Sequence, residues 1–139
     1  MPYKTIKEVT KLTGFTESAL RYYNEKNILQ PTVKTQSGRR EWFYDDETIS
    51  KLKVIKMYKQ IELPMSEIGE IIRNMDHDRS GAIADQLMSL KQKREHLERQ
   101  ILVTEFLYNL EEGLEGRHLE DSPLLDVITE AVDKFISKE

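Results

Sequence analysis

The chain has 139 residues, room for one compact domain or for a small domain plus an extended element, but not for two full domains. Hydrophobic residues make up 38% and charged residues 33%, with 6 Gly and 4 Pro, a balance that excludes a disordered chain and suits a helix-rich, well solvated fold; the lack of cysteine excludes disulfides, thiolate metal sites and thiol redox switching. The formal charge of −4 hides a division, because residues 1–60 hold 12 Lys/Arg against 7 Asp/Glu and so leave 9 against 18, of the chain's 21 and 25, for residues 61–139: a basic nucleic-acid surface followed by an acidic part kept away from phosphates.

The first residues lack the basic segment and apolar run of a signal peptide, and no stretch approaches the roughly 18 apolar residues of a membrane span, so a soluble, cytoplasmic protein is expected. From Thr5 to Thr13, Ile6, Val9 and Leu12 recur at helical spacing, with Thr5 placed as N-cap and Gly14 just past the end. Thr13-Gly14-Phe15 forms a short turn. Thr16 then caps a second helix with Glu17 in its first turn, and Ala19, Leu20 and Tyr23 face inward. Two short helices around a tight turn predict a helix-turn-helix.

Ile28-Leu29 and Trp42-Phe43-Tyr44 are the β-prone ends of a segment whose middle, residues 34–40, is polar and turn-rich, which predicts a small β-hairpin wing with Gly38-Arg39-Arg40 at its tip. Asp45-Asp46-Glu47 gives an acidic first turn to a helix running through Ile49, Leu52, Ile55, Met57 and Tyr58 to about Ile61. Pro64 ends it and opens the next helix, in which Met65, Ile68, Ile71 and Ile72 face a core.

Residues 1–75 are thus expected to form one domain, and the polar, aperiodic residues 76–81 a linker. Over residues 82–116, Ile83, Leu87, Leu90, Leu97, Ile101, Thr104 and Tyr108 follow an alternating spacing of four and three, broken only by Arg94. This is a heptad-like seam on a helix of about 30 residues, far above the mean of about 11 to 12, and such a seam requires a partner helix. Val103, Phe106, Leu107, Leu110 and Leu114 broaden the apolar surface toward its end, where Gly113 and Gly116 weaken the helix. In residues 117–139, Glu120-Asp121-Ser122-Pro123 opens a last helix carrying Leu124, Leu125, Val127, Ile128, Val132 and Phe135, expected to fold back on the long one.

The second helix of a helix-turn-helix enters the major groove. Here Thr16 and Ser18 offer hydroxyls, Arg21 is a fork donor for guanine or phosphate, and Tyr22, one turn from Ser18, can reach a phosphate, while one of Tyr22 and Tyr23 belongs to the core. Arg39 and Arg40 suit the minor groove or the backbone, with Lys34 across the hairpin. Lys51, Lys53, Lys56 and Lys59 line one helix; Lys51 and Lys56 are candidate phosphate contacts, with a solvated charged face as the alternative. No catalytic set, phosphate-binding glycine loop or metal-ligand spacing occurs, and His77, His96 and His118 lie far apart, so no enzyme, metal or cofactor is expected. Phe106, Leu110, Leu125, Ile128 and Phe135 form an apolar C-terminal patch, either core or a site for a small apolar effector between subunits.

These residues also carry a resemblance. Ile6 to Gly14 resembles the first helix of the MerR family of transcription regulators, Phe15-Thr16-Glu17-Ser18-Ala19-Leu20-Arg21-Tyr22-Tyr23 its recognition helix, Ile28-Leu29-Gln30-Pro31 the lead-in to its wing, Gly38-Arg39-Arg40 the wing, and Tyr44-Asp45-Asp46-Glu47 the start of its third helix, over about 70 residues in all. The resemblance implies a mainly α fold: a winged helix-turn-helix with a small β-hairpin wing, then a long coiled-coil helix and a short C-terminal helix. It further implies a homodimer joined through an antiparallel coiled coil, with each recognition helix on one half of a palindromic promoter element in double-stranded DNA. Family members are understood to bend and untwist such a promoter in response to an effector at the C-terminal end, so that RNA polymerase can use it.

Metal-sensing relatives are understood to use cysteines near the end of the long helix, and none is present here. Two departures from the family pattern stand out: Trp42 and Phe43 add about two residues between Gly38 and Tyr44, predicting a longer or bulged return strand, and Pro64 replaces a small polar cap. Two other readings fit the same motifs, an architectural or excisionase-like DNA-bending protein and a coiled-coil interaction protein with a vestigial helix-turn-helix.

Overall fold

The protein, here a computed structural model, is described over residues 3–35 and 41–138. Along these residues run β1 (Lys4–Thr5), α1 (Ile6–Thr13), α2 (Glu17–Glu25), β2 (Val33–Lys34), β3 (Trp42–Tyr44), α3 (Asp46–Gln60), α4 (Met65–Arg73), α5 (Arg79–Gly113), a 3-10 turn (Leu119–Asp121) and α6 (Leu125–Ile136). The chain divides into two compact units, Met1–Gln86 and Leu87–Glu139.

In the first unit α1 starts where the sequence places its cap. Thr5 Oγ1 accepts from the Glu8 backbone N–H at 3.2 Å while Glu8 Oε1 accepts from the Thr5 N–H at 3.1 Å, a capping box that satisfies two otherwise orphaned donors. These hydrogen bonds, the one from the Thr5 backbone foremost, hold the Glu8 carboxyl below its usual range. Gly14 ends the helix at φ +80, a conformation a side chain would strain, and its N–H donates to the Thr10 carbonyl. Thr16 Oγ1 in turn accepts from the Ala19 N–H at 3.0 Å to start α2.

Ile28 and Leu29 are not strand, contrary to the hairpin expectation. Asn27 turns the chain at φ +61, both following N–H groups donate to the Tyr23 carbonyl, and the two side chains plug into the core at the end of α2. The wing therefore begins later, at Val33. Three short strands form an antiparallel sheet in the order β1-β3-β2, with Lys4 opposite Tyr44, Thr5 and Val33 both opposite Phe43, and Lys34 opposite Trp42. Strand β1, two residues long, has no sequence pattern of its own and forms by pairing with β3. Trp42 and Phe43 lengthen the return strand in regular register through the described pairs, so they extend it without a bulge there.

Val9 of α1, Leu20 and Tyr23 of α2, Tyr44 of β3, Leu52 and Ile55 of α3, and Ile68 and Ile71 of α4 are all 2% exposed or less. Their 3.6-residue spacing gives each helix one apolar face, and packing those faces together holds four helices too short to persist alone. Asp45 caps α3 by accepting from the Thr48 N–H at 2.8 Å, and Pro64, with no side-chain cap to offer, opens α4 through its fixed φ of −56.

The stretch 76–81 is only partly a linker. Asp78 Oδ1 accepts from the Gly81 N–H at 2.9 Å and the Ser80 hydroxyl at 3.2 Å, which lets α5 begin at Arg79. The first unit also reaches beyond residue 75, because Ala82 packs against its core and Gln86 Nε2 donates to the Ile61 carbonyl at 2.7 Å. In the second unit α5 continues to Gly113, Glu115 and Gly116 turn the chain with positive φ, and α6 follows. None of the 35 residues of α5 is buried. Among the described residues no helix is long and apolar enough to cross a membrane.

Candidate nucleic-acid interface

Helix α2 turns Leu20 and Tyr23 inward and leaves Thr16, Ser18, Arg21 and Tyr22 exposed, so the core tyrosine is Tyr23, at 2% exposure, and Tyr22, at 44%, faces out. Thr16 has its hydroxyl engaged as the cap. Arg21, half exposed, stands with Cζ 4.7 Å over the Trp42 ring and Nη2 4.0 Å from Glu17 Oε2. Lys34 of β2 places Nζ 5.3 Å over the same ring, and Lys26 Nζ lies 5.9 Å over the Tyr22 ring. One tryptophan thus joins a cation of the recognition helix to a cation of the hairpin. The sequence showed Trp42 only as an extra residue in the return strand.

The hairpin is fastened at both ends of its described part. Thr35 N–H donates to the Glu41 carbonyl and Glu41 N–H to Thr35 Oγ1, each at 2.9 Å, just below the tip. Residues 36–40, and with them Arg39 and Arg40, lie outside the described residues. At the base, the Asp45 N–H donates to Thr32 Oγ1 at 2.9 Å, which ties β2's lead-in to the cap of α3. The Asp45 carboxyl is held below its usual range by hydrogen bonds from Thr48. Beneath this surface the Tyr44 hydroxyl is buried without a partner, and burial pushes its pKa up to about 12 although the charge of Arg21 pulls it down.

The lysines of α3 divide. Lys51 Nζ stands 3.9 Å from Glu47 Oε1, one turn away at the helix surface. Lys56 Nζ instead donates to the Thr13 carbonyl at 2.6 Å, placing a positive charge at the C-terminus of α1 and locking the turn that aims α2. Lys59, itself exposed, holds Nζ 5.8 Å over the Phe15 ring of the same turn and 5.9 Å over that of Tyr23. Lys56 is therefore committed first to the protein, a role its place on a lysine-rich helix face did not reveal.

Farther along the chain, Ile83, Leu87, Leu90, Leu97, Ile101 and Tyr108 all lie exposed on α5. Leu102, Val103 and Phe106 of α5 and Ala131, Val132 and Phe135 of α6 line an open cleft of about 310 Å³. Of the expected apolar patch only Phe106 and Phe135 meet there; Leu110, Leu125 and Ile128 are half-buried elsewhere in the second unit. Among the described residues no three His, Asp or Glu side chains gather as a metal site, and His77 shares a 2.7 Å hydrogen bond with Glu67 instead.

A capped helix pair with an outward polar face, a fastened hairpin beside it and a turn braced by lysine define a winged helix-turn-helix DNA-binding protein. Residues 4–75 match the family described as MerR HTH family regulatory protein, and residues 49–108 the one described as MerR, DNA binding. The chain belongs to the MerR family of transcription regulators.

It is similar to the HTH-type transcriptional regulator CueR of Salmonella typhimurium, with 28% identity over 125 residues that cover 87% of this chain and 88% of the relative. Among solved structures it is similar to MtaN, the N-terminus of the Bacillus subtilis Multidrug Transporter Activator, with a TM-score of 0.66 and 25% identity over 76% of this chain and 97% of that one. A MerR family transcriptional regulator from Bacillus cereus shares the fold, with a TM-score of 0.61 and 21% identity over 97% of each chain.

Proposed function

We propose that this DNA-binding regulator acts in the cytoplasm as a homodimer, joined through α5 and holding a palindromic promoter element with one recognition helix on each half. The observation that carries this reading is a 35-residue helix with no buried residue and an exposed apolar seam at Ile83, Leu87, Leu90, Leu97, Ile101 and Tyr108. A second helix carrying the same pattern covers such a stripe along its whole length and displaces the water around it. Residues 1–75 then serve as the DNA-binding domain, α5 within residues 82–116 as the dimerisation helix, and residues 117–139, packed with the end of α5, as the effector segment. Thr16, Ser18, Arg21, Tyr22, Lys34 and Lys51, with Arg39 and Arg40 of the tip, make the contacts to DNA. RNA polymerase at the promoter reads the resulting change in DNA shape.

The effector in this proposal is a small apolar molecule and not a metal ion. The cleft between Leu102, Val103, Phe106 and Ala131, Val132, Phe135 supports that chemistry, because its walls offer methyl groups and rings and no ligating atom. Sedimentation equilibrium and footprinting test the dimer together. The wild type should sediment as a dimer and protect two symmetric half-sites, and Leu97→Glu, which puts a charge into the seam, should weaken dimerisation at least 10-fold by desolvating a carboxylate. A monomer that still protects a full palindrome would sink the proposal.

A further inference from the structure

Trp42 is the chain's single tryptophan, and it stands half-buried on β3 with Arg21 Cζ at 4.7 Å and Lys34 Nζ at 5.3 Å from its ring. Arg21 comes from the recognition helix and Lys34 from the first arm of the wing. We infer that Trp42 is a positioning residue of the DNA interface, holding these two cations as a pre-arranged pair and so fixing the register between recognition helix and wing. The inference rests on the reading of Arg21 and Lys34 as DNA contacts.

A cation over an aromatic ring is held through its charge, so none of its N–H donors is consumed. Arg21 keeps its fork and Lys34 its ammonium donors for guanine edges or phosphate oxygens. Long cationic side chains that rotate freely in the unbound protein must be immobilised when DNA binds, and a ring that has already restricted both reduces that loss. The other anchor of Arg21 is Glu17 Oε2 at 4.0 Å, an exposed pair of little strength. That leaves the ring as the main restraint. Phe43, the other added residue, is paired with Thr5 of β1 and Val33 of β2, so the strand that presents Trp42 is held from both sides.

The test uses the full chain and a duplex recovered by selection from genomic fragments, with a shuffled duplex of the same composition as reference. Trp42→Ala should weaken binding to the selected duplex about 10-fold, the product of two contacts each worth a factor of about 2 to 5, and weaken binding to the shuffled duplex less. Trp42→Phe, which keeps a ring, should recover most of the loss. In an Arg21→Ala, Lys34→Ala background the same Trp42→Ala change should alter affinity by less than about 2-fold. Without DNA, the emission of the lone tryptophan should shift in Arg21→Ala and in Lys34→Ala.

An equal loss in the doubly substituted background, or a Trp42→Phe as damaging as Trp42→Ala, would overturn the inference in favour of a purely structural ring. Tighter binding by Trp42→Ala would overturn it too, since the ring would then compete with DNA for the cations. Emission unchanged by both cation substitutions would remove its basis. If instead the wild type retained no duplex while the emission shifts were seen, the assignment of Arg21 and Lys34 to DNA would fail and the cation contacts themselves would stand.

Discussion

Lys56 and Lys51 lie on one helix five residues apart in different surroundings, and replacing each with methionine separates a bracing role from the proposed phosphate contact. Lys56 Nζ donates to the Thr13 carbonyl at 2.6 Å across 43 residues of sequence. A hydrogen bond from a charged donor is worth about 1.5 to 3 kcal/mol, and a cation at a helix C-terminus about 0.3 to 1 kcal/mol. The two overlap because one ammonium supplies both, and its exposure to solvent weakens them, which leaves about 1 to 2 kcal/mol. Methionine keeps most of the apolar stem, so the loss is that of the head group. For a cooperative unit of 60 to 100 residues each kcal/mol lowers the melting temperature by about 4 to 8 °C, so Lys56→Met should melt several degrees early. Lys51→Met removes an exposed pair with Glu47 at 3.9 Å and should change stability by less than about 0.5 kcal/mol.

On DNA the ranking reverses. Each phosphate neutralised contributes about 0.9 to the slope of log affinity against log salt, so Lys51→Met should flatten that slope by about 0.9 per subunit, whereas Lys56→Met should leave it in place and lower affinity only through a less firmly aimed α2. Thermal unfolding with a binding series from 50 to 200 mM salt measures both quantities. Normal stability together with a flattened slope in Lys56→Met would refute the bracing role and return this lysine to the phosphate contacts expected from sequence.

Ile55, fully buried in the first unit, should lose about 2 to 5 kcal/mol on replacement by alanine, read as a lower urea midpoint with an unchanged m value. The carboxyls of Glu8, Asp45 and Asp78 sit below their usual range through hydrogen bonds from Thr5, Thr48 and Gly81 respectively, so the stability they contribute is complete above the ordinary carboxylate range and is lost as pH falls through the lowered values; urea midpoints should drop below about pH 4. Tyr44 has the opposite sign: burial raises its pKa to about 12, so stability is complete below about pH 10 and declines as pH rises toward 12. Tyr44→Phe should remove its share of that alkaline decline and, because the buried hydroxyl has no partner, leave stability at pH 7 unchanged or slightly higher; a loss of more than about 1 kcal/mol at pH 7 would mean the hydroxyl makes a bond.

What could be read in the sequence was local. Thr5 and Thr16 announce helix starts because each accepts from an N–H three residues on, Gly14 announces an end because glycine takes the left-handed turn without strain, and the apolar spacing of α3 and α4 is a property of each helix alone. What could not be read depends on distant chain. Strand β1 is two residues long and exists only because β3 returns beside it. Ile28 and Leu29 have strand propensity, but the left-handed turn at Asn27 and the space at the end of α2 outweigh it. The polar run 76–81 looked structureless, although its Asp78 is a helix cap in the same sense as Thr16. Trp42 was visible as an addition to the wing, while its meaning needed Arg21 from another element to stand over it.

The same distinction bears on how much charge is free for DNA. Residues 1–60 hold 12 basic side chains, but a cation bound to a carbonyl and a cation lying over a ring are not in the same state. Lys56 has given a donor to Thr13, and a phosphate must compete with that bond; Arg21, Lys34 and Lys26 are held by ring faces and keep their donors. Lys59 is also held by rings, that of Phe15 in the braced turn between α1 and α2 and that of Tyr23 in α2 itself. The cations held over rings but keeping their donors thus lie on α2, just past its end and on the hairpin, while Lys56 and Lys59 of α3, themselves exposed, contact the turn between α1 and α2 and the ring of Tyr23. A salt slope read against all 12 cations would overstate the interface, and the slope lost on replacing Arg21 and Lys34 together should exceed that lost on replacing Lys56 and Lys59 together.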